Sequence, residues 1–375
     1  MGASLFIYLN LLFSSLSELK QEAQLRGWDA STWTQNQCEE LIIRIPSSSG
    51  SVENAVLLHS VSEDEFVVAR MHWEAIKQIQ NRARDLYLVV TCGGSSTATF
   101  VHSFLRKLEG FIEDLTTTEK LEFAKLGQDF PNLTKVKFVW NQGAEFDSEI
   151  LKPWILAPIG ISQPGFWSGR LKLKAQSWVE LQAKYLDLQN YFDEISQPKR
   201  FSMKTLHFEQ AEWVSRLSKT QDWWNRILDF LSPRGIYFRN GWERKLAQEW
   251  EMSEPEATKI ETEGIFIVSH RFIGGRLQNE IEETLRDQLE KSLLKGFKFN
   301  IETVHFSPFI RSVYEGKEAR AFDRILRSKP QVIPVPVISD EQSESALFRQ
   351  AGISTYDLSL PNNEIDRELL FEILK

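Results

Sequence analysis

An imidazole and three carboxylates lie close together early in the chain. His59 stands near the end of the apolar run of residues 54–60 (NAVLLHS), and an acidic Glu-Asp-Glu triplet follows at residues 63–65. Imidazole nitrogens and carboxylate oxygens are common zinc ligands, so this spacing could support a single metal ion. A lone histidine at a strand end is more often hydrogen-bonded structure, and adjacent carboxylates in a loop are usually solvated. Both interpretations of His59 stay open.

A glycine-rich elbow, residues 91–96 (TCGGSS), ends the apolar run of residues 85–91. The backbone N–H groups of Gly93 and Gly94 could hold an anion if a helix begins there. The segment lacks the GxGxxG and GxxxxGKS/T patterns of nucleotide-binding loops, and a serine N-cap explains the two serines more simply. Cys92 has the position of a nucleophile, but no histidine can be assigned as its base.

Composition and charge exclude several classes of protein. The 375 residues are 42% hydrophobic, and 25 Phe and 12 Trp argue against a disordered chain. A net charge of −8 makes nucleic acid an unsuitable partner. Because no apolar stretch is long enough for a transmembrane helix, we expect no membrane partner and a cytoplasmic location. Cys38 and Cys92 share no metal-binding spacing; a disulfide between them is open, but two buried free thiols are expected.

Buried strands and amphipathic helices alternate through the first part of the chain. Strands are predicted at residues 54–60, 85–91 and 134–140, and helices at residues 65–81 and 96–115. Parallel strands need such crossover helices, so this order predicts an α/β fold with a largely parallel, helix-covered sheet. The same patterns predict helices at residues 5–23, 39–46, 319–327 and 343–350, and strands at residues 331–338 and 353–360.

A second, smaller unit is predicted between these parts. Its elements are a strand at 166–175, a helix at 204–231, strands at 242–252 and 263–272, a helix at 277–294 and a strand at 297–305. This β-α-β-β-α-β order is typical of a two-layer sandwich. We therefore expect a first domain made of residues 1–167 and 306–375, with residues 168–305 inserted as a lid domain.

Several segments match the motifs of one enzyme family in the same order. Residues 41–50 (LIIRIPSSSG) are similar to LIRIPSVSG, and residues 138–143 (FVWNQG) stand at the place of NEGG. Residues 343–353 (SESALFRQAGI) are similar to TDSRFFRAAGI, and residues 264–271 and 363–365 match weaker patterns. The chain thus resembles the dizinc aminoacylase, acetylornithine deacetylase and carboxypeptidase family. The resemblance implies a zinc-peptidase-like fold with an inserted lid.

The metal ligands of that family can be checked position by position. In the family, two zinc ions share a bridging aspartate and a water, and a glutamate is the general base. The resemblance places the first histidine ligand at His59, whereas Val61 stands where an aspartate orients that histidine. Residues 91–94 replace a pair of glutamates, Gln142 replaces the next glutamate, and residues 358–362 lack the final histidine. The segment of the bridging aspartate is also missing after His59.

The resemblance therefore predicts the family's fold but not its zinc-dependent hydrolysis. The leading hypothesis is a catalytically degenerate homologue of zinc-dependent amidohydrolases and peptidases that binds a protein partner or a small peptide-like ligand without hydrolysis. No cofactor is predicted for it, and its expected binding residues are Arg271, Gln142, Gly93 and Gly94. The alternative is an active hydrolase of amide or peptide bonds with a reorganised single-zinc site around His59. A third hypothesis is a structural homodimer joined through the lid.

Overall fold

The protein consists of two compact units in this computed structural model. The first unit comprises Met1–Ile161, Arg311–Val337 and Ser343–Lys375, and the second comprises Ser162–Ile310 and Ile338–Gln342. The structure describes residues 16–35, 38–48, 55–61, 73–79, 82–105, 117–141, 155–196, 250–253, 263–272, 274–314, 316–330, 332–339 and 343–358.

Strands of the described residues form two separate sheets. In chain order the strands are β1 (Asp29–Gln35), β2 (Cys38–Ile45), β3 (Ala55–Val61), β4 (Leu86–Thr91), β5 (Val136–Asn141), β6 (Ile155–Ser162), β7 (Gly165–Lys174), β8 (Trp250–Met252), β9 (Glu263–Phe272), β10 (Lys298–Ser307), β11 (Val332–Ile338) and β12 (Ser354–Leu358). The first sheet has the order β1-β2-β4-β3-β5-β12-β6-β11, and the second has the order β10-β7-β9-β8. The neighbours β4, β3, β5 and β12 are parallel, whereas β1, β2 and β6 pair in the antiparallel sense. The predicted α/β class with a largely parallel sheet is confirmed.

Helices surround the strands of both units. They are α1 (Leu16–Leu25), α2 (Ser95–Phe100), α3 (Thr117–Asp129), α4 (Trp178–Ser196), α5 (Gln278–Ser292), α6 (Lys317–Ser328) and α7 (Ser345–Gln350). A π-helical turn, Val101–Leu105, continues α2. The helix predicted at residues 204–231 lies outside the described residues. Of the helices that are described, none combines the length and the apolar character needed to cross a membrane.

Both faces of the first sheet are covered by helices. On one face Leu19 of α1 and Phe322 and Leu326 of α6 join the apolar core. On the other face Phe100 of α2 and Phe348 of α7 do the same. Burial of this apolar surface is the main term that stabilises such a layered unit, and it fixes which face of each strand carries polar groups.

Residues 39–45 of the helix predicted at residues 39–46 belong instead to strand β2. This strand pairs antiparallel with β1 and with β4, and buries Leu41, Ile42, Ile43 and Ile45. A short continuous apolar run suits a buried strand as well as a helix, and its β-branched isoleucines pack well on a pleated surface. The prediction was wrong because periodicity cannot separate the two in so short a run.

The second unit is an antiparallel sheet with helices packed on it. β7 pairs with β10 and β9, and β9 pairs with β8. Burial alternates along β7 and β9, and the buried side chains pack against α4 and α5. Ile281, Leu285 and Leu289 recur every four residues along α5, so one stripe of that helix faces the sheet. The helix α4 was not predicted from the sequence.

Candidate functional site

A row of polar side chains crosses the parallel centre of the first sheet. Thr91, His59, Asn141 and Asp357 lie at or near the carboxyl ends of the consecutive strands β4, β3, β5 and β12. His59 is opposite Asn141 and Asn141 is opposite Asp357 in the strand registers, so these side chains share one face. No member is more than 2% exposed. We call these four residues the polar row. Binding sites of parallel α/β sheets form at this edge.

Both ring nitrogens of His59 are hydrogen bonded. Nδ1 lies 2.7 Å from Oδ1 of Asn141, and Nε2 lies 2.8 Å from Oγ1 of Thr91. The amide of Asn141 donates through Nδ2 to Ser345 Oγ at 2.7 Å and to Asp357 Oδ1 at 3.2 Å, which leaves Oδ1 as its acceptor. This network assigns the ring proton of His59 to Nδ1, and Nε2 accepts the hydroxyl proton of Thr91.

The hydrogen bonds run in one direction and end on a carboxylate. At one end Thr97 Oγ1 lies 2.7 Å from Thr91 Oγ1 and donates to it, because the Thr91 hydroxyl proton is already used. At the other end Ser345 donates to Oδ1 of Asp357, and Arg349 Nη2 donates to Oδ2 at 2.7 Å. The negative charge of Asp357 is therefore balanced by a guanidinium within the same unit.

Arg349 also joins several backbone segments. Its Nη2 donates to the carbonyl oxygens of Gly160 and Thr355, each at 3.1 Å, and its Nε lies 3.3 Å from Ser312 Oγ. The side chains of Arg349 and Asp357 are only 1% and 0% exposed. The ion pair therefore holds α7, β6 and β12 together in a region where an unpaired charge would be costly.

The surroundings of His59 keep its imidazole neutral. Burial lowers its pKa and outweighs the hydrogen bond to Asn141 and the charges of Glu344 and Asp357, which favour the protonated form. The Phe348 ring lies edge-on to the imidazole with 5.2 Å between ring centroids. A neutral ring suits the proton arrangement that the hydrogen bonds require.

The elbow is held by two carboxyl groups. Gly93 and Gly94 have φ angles of 77° and 52°, a region that favours glycine. The N–H of Cys92 donates to Glu40 Oε1 at 2.9 Å, and the N–H of Gly94 donates to Glu344 Oε1 at 3.1 Å. A carboxylate of the chain itself thus binds at one of the two amides that the sequence predicted as an anion site.

Cys38 and Cys92 form a disulfide, which corrects the prediction of two free thiols. Their Cα atoms are 6.3 Å apart, within the usual range for a disulfide. The antiparallel pairing of β2 with β4 brings the start of β2 beside the elbow. A sequence separation of 54 residues hides this proximity. In the disulfide form Cys92 offers no thiol nucleophile.

Glu40 is a buried carboxyl group next to this disulfide. It is 0% exposed. Burial raises its pKa to about 7, and the opposing effects of the Cys92 N–H and of the Trp33 side chain are smaller. The elbow is therefore anchored to a group that titrates near neutral pH.

The predicted site residues lie in both units. His59, Gly93 and Gly94 belong to the first unit, where His59 enters the polar row and the glycines form the elbow. Arg271 lies in β9 of the second unit and is exposed on the strand. Gln142 and the acidic triplet at residues 63–65 lie outside the described residues.

Sequence reasoning missed most of the polar row and its partners. Asn141 and Asp357 each stand at or near the end of a predicted strand, and this position was the available signal. Ser345 and Arg349 stand in the segment that resembles the family motif, but the motif attributes no role to them. Their importance follows from the strand order, which the sequence alone did not give.

The donors of the polar row do not fit a zinc centre. Zinc prefers thiolates, carboxylates and imidazoles with a free lone pair. Here the Nε2 lone pair of His59 accepts from Thr91, Asn141 is a neutral amide, and Asp357 is paired with Arg349. Within the described parts of the chain, no group of three or more His, Cys, Asp or Glu could hold a metal ion. That His59 ligates a metal stays a prediction.

Comparison with known proteins finds solved structures with a similar fold. No protein-family model and no curated protein matches the chain. An M20-family metallo-carboxypeptidase from Sulfolobus solfataricus is similar with a TM-score of 0.57 and 14% identity, over 96% of this chain and 94% of that chain. A hydantoinase/carbamoylase family amidase from Burkholderia multivorans gives 0.55 and 9%, over 96% and 88%. A tripeptidase from Staphylococcus aureus gives 0.53 and 10%, over 96% and 91%. At such identities the likeness shows the fold, which is that of metallopeptidases and amidases.

Proposed function

We propose that this protein is a catalytically degenerate homologue of zinc-dependent amidohydrolases and peptidases, and that it binds a protein partner or a small peptide-like ligand without hydrolysis. One observation carries the proposal. The side chains at the carboxyl ends of the central strands form a closed network from Thr97 to Arg349, in which His59 already uses both ring nitrogens.

A hydrolytic zinc site requires ligands with free lone pairs and one open coordination position for water. Binding a metal at His59 Nε2 would break the hydrogen bond from Thr91 and leave that buried hydroxyl without its acceptor. The network therefore favours the metal-free state of these residues. Its hydrogen bonds stabilise the sheet edge, where the fold's enzymes carry out chemistry.

For ligand binding we propose Arg271, Gln142, Gly93 and Gly94. Arg271 is an exposed residue of β9, and a guanidinium is a side-chain group that commonly recognises carboxylates. The Gly94 N–H already binds the carboxylate of Glu344, so the chemistry of the elbow suits the same group. These features favour a peptide-like ligand with a free carboxylate.

We further propose a homodimer formed through the second unit and a cytoplasmic location. Disulfides are rare in the reducing cytosol, so the Cys38–Cys92 disulfide is an observation against the proposed location. Light scattering during size-exclusion chromatography tests the dimer directly. A mass of one chain at micromolar concentration would refute it.

Metal analysis combined with an amide-hydrolysis assay tests the central proposal. We expect purified protein to contain far less than stoichiometric zinc and to leave N-acyl amino acids and dipeptides intact, with or without added zinc. The matched variants are His59→Ala and His305→Ala, since His305 is an exposed histidine of the second unit. Stoichiometric zinc and hydrolysis that are both lost in His59→Ala and kept in His305→Ala would establish the active single-metal hydrolase instead.

A further inference from the structure

The disulfide joins the polar row to the outer part of the first sheet. Cys38 is the first residue of β2, and Cys92 directly follows Thr91, whose hydroxyl donates to His59. Both cysteines are half-buried, so a small reductant can reach them. The tether thus acts at one end of the polar row, and two strands, β3 and β5, separate β4 from β12, whose Asp357 pairs with Arg349.

Apart from the disulfide, hydrogen bonds hold the elbow, among them those from the Ser96 and Ala98 amides to the carbonyl oxygens of Gly93 and Gly94, each at 3.1 Å. The Cys92 and Gly94 amides donate to Glu40 and Glu344, and the Gly93 amide lies 3.4 Å from Thr91 Oγ1, a long hydrogen bond. Each such bond contributes little net stability. The segment also contains two successive glycines with positive φ, which gain much conformational freedom when released. The covalent link is therefore the strongest single restraint on the elbow.

We propose that the Cys38–Cys92 disulfide is a redox-sensitive tether, and that its reduction releases the elbow and loosens the Thr91 end of the polar row. A dithiol supplies two electrons and two protons. The S–S bond breaks, Cys38 and Cys92 become thiols, and the dithiol is oxidised to its own disulfide. The elbow amides then open to solvent more often, while the Asp357 end of the row stays closed.

Alkylation and hydrogen exchange on the full-length protein test this tether. Protein purified without reductant is treated with N-ethylmaleimide before and after dithiothreitol and weighed by mass spectrometry. We expect no alkylation before reduction and two adducts afterwards. Amide hydrogen exchange in peptides covering residues 92–96 should then be roughly tenfold faster in the reduced form, because the released elbow opens locally more often. Peptides covering residues 354–358 should exchange at the same rate in both forms.

Two variants separate the tether from a general loss of structure. The Cys38→Ser/Cys92→Ser protein should exchange like the reduced wild type and should not respond to dithiothreitol. Glu344→Gln keeps an acceptor oxygen for the Gly94 amide and should still respond. Free thiols in unreduced protein, or equal exchange of residues 92–96 in both redox states, would overturn the proposal. Faster exchange throughout the first unit would do so as well, because it would mean general unfolding.

Discussion

Replacing Asp357 by asparagine tests the buried charge balance of the polar row. The substitution keeps the shape of the side chain and removes its charge, so the Arg349 guanidinium, 1% exposed in its side chain, loses its counterion. Breaking a buried pair by removing one partner costs about 3–5 kcal/mol. Arg349 keeps its hydrogen bonds to the carbonyl oxygens of Gly160 and Thr355, which places the cost towards the lower end of that range.

A double-mutant cycle isolates the pair from its surroundings. Arg349→Met should be destabilising alone, because it leaves the Asp357 carboxylate buried without a counterion. In the double variant neither charge remains, so its total cost should fall below the sum of the single costs by about 1–3 kcal/mol. That difference is the coupling of the pair.

Hydrogen exchange in β12 is the suitable assay, since a chain with two units need not unfold in one step. A loss of about 3–5 kcal/mol corresponds to roughly 10²- to 10⁴-fold faster exchange of the most protected amides in residues 354–358. The reasoning is refuted if Asp357→Asn changes this exchange less than about fivefold, equivalent to about 1 kcal/mol. Additive effects in the double variant would refute it too.

Further predictions concern the groups around His59 and the elbow. The raised pKa of Glu40, about 7, means that the folded state binds its proton more tightly than the unfolded state, so stability falls as pH rises from about 4.5 to 7. Glu40→Gln should therefore be more stable than wild type at pH 8, by at most about 3 kcal/mol, and no more stable at pH 4.5; equal urea midpoints at pH 8 would contradict this. The lowered pKa of His59 has the opposite effect on stability, because the folded state binds this proton less tightly than the unfolded state does. The stability of the wild type should decrease as the pH falls below about 6.5. In His59→Gln the urea midpoint should decrease less between pH 7 and pH 5 than in the wild type. In Gly93→Ala the new Cβ would lie 3.1 Å from Glu344 Oε1 at a φ of +77°, whereas in Gly94→Ala it would meet open space at a φ of +52°. Thermal unfolding should show a cost of about 1–3 kcal/mol for each variant, because crowding adds to the positive φ at Gly93 and the φ of 52° with a ψ of −118° strains any Cβ at Gly94; an unchanged unfolding temperature in either variant would argue against this strain.

Secondary structure was predicted best where the local pattern was unambiguous. The strand predicted at residues 263–272 is β9 with the same ends, and the strand predicted at residues 54–60 is β3 within one residue. Alternating or strongly apolar runs bounded by polar segments identify strands because burial on a sheet repeats every two residues. The helix prediction for residues 39–46 was wrong, since four apolar residues around one arginine fit a helix turn as well as a strand.

The candidate site was predicted only in part. His59 was identified by its residue type and by the resemblance, but its partners Asn141 and Thr91 are 82 and 32 residues away in the chain. Which strands are neighbours decides whether those side chains meet, and crossover connections leave several orders open. The disulfide was not predicted for the same reason: β2 and β4 are adjacent in space and not in sequence.

The amino-acid sequence by itself determined the α/β class and the place of a second sheet, because hydrophobic periodicity and the order of elements are local properties of the chain. The resemblance also predicts that most positions of that family's metal ligands carry other residue types here, and this stays a prediction. Only the tertiary structure decided which polar side chains meet: strand register brings four distant polar residues into one row, and packing pairs its carboxylate with a guanidinium. A hydrogen bond forms only when donor and acceptor are about 3 Å apart, to within a few tenths of an ångström. For groups far apart in sequence, packing sets that distance.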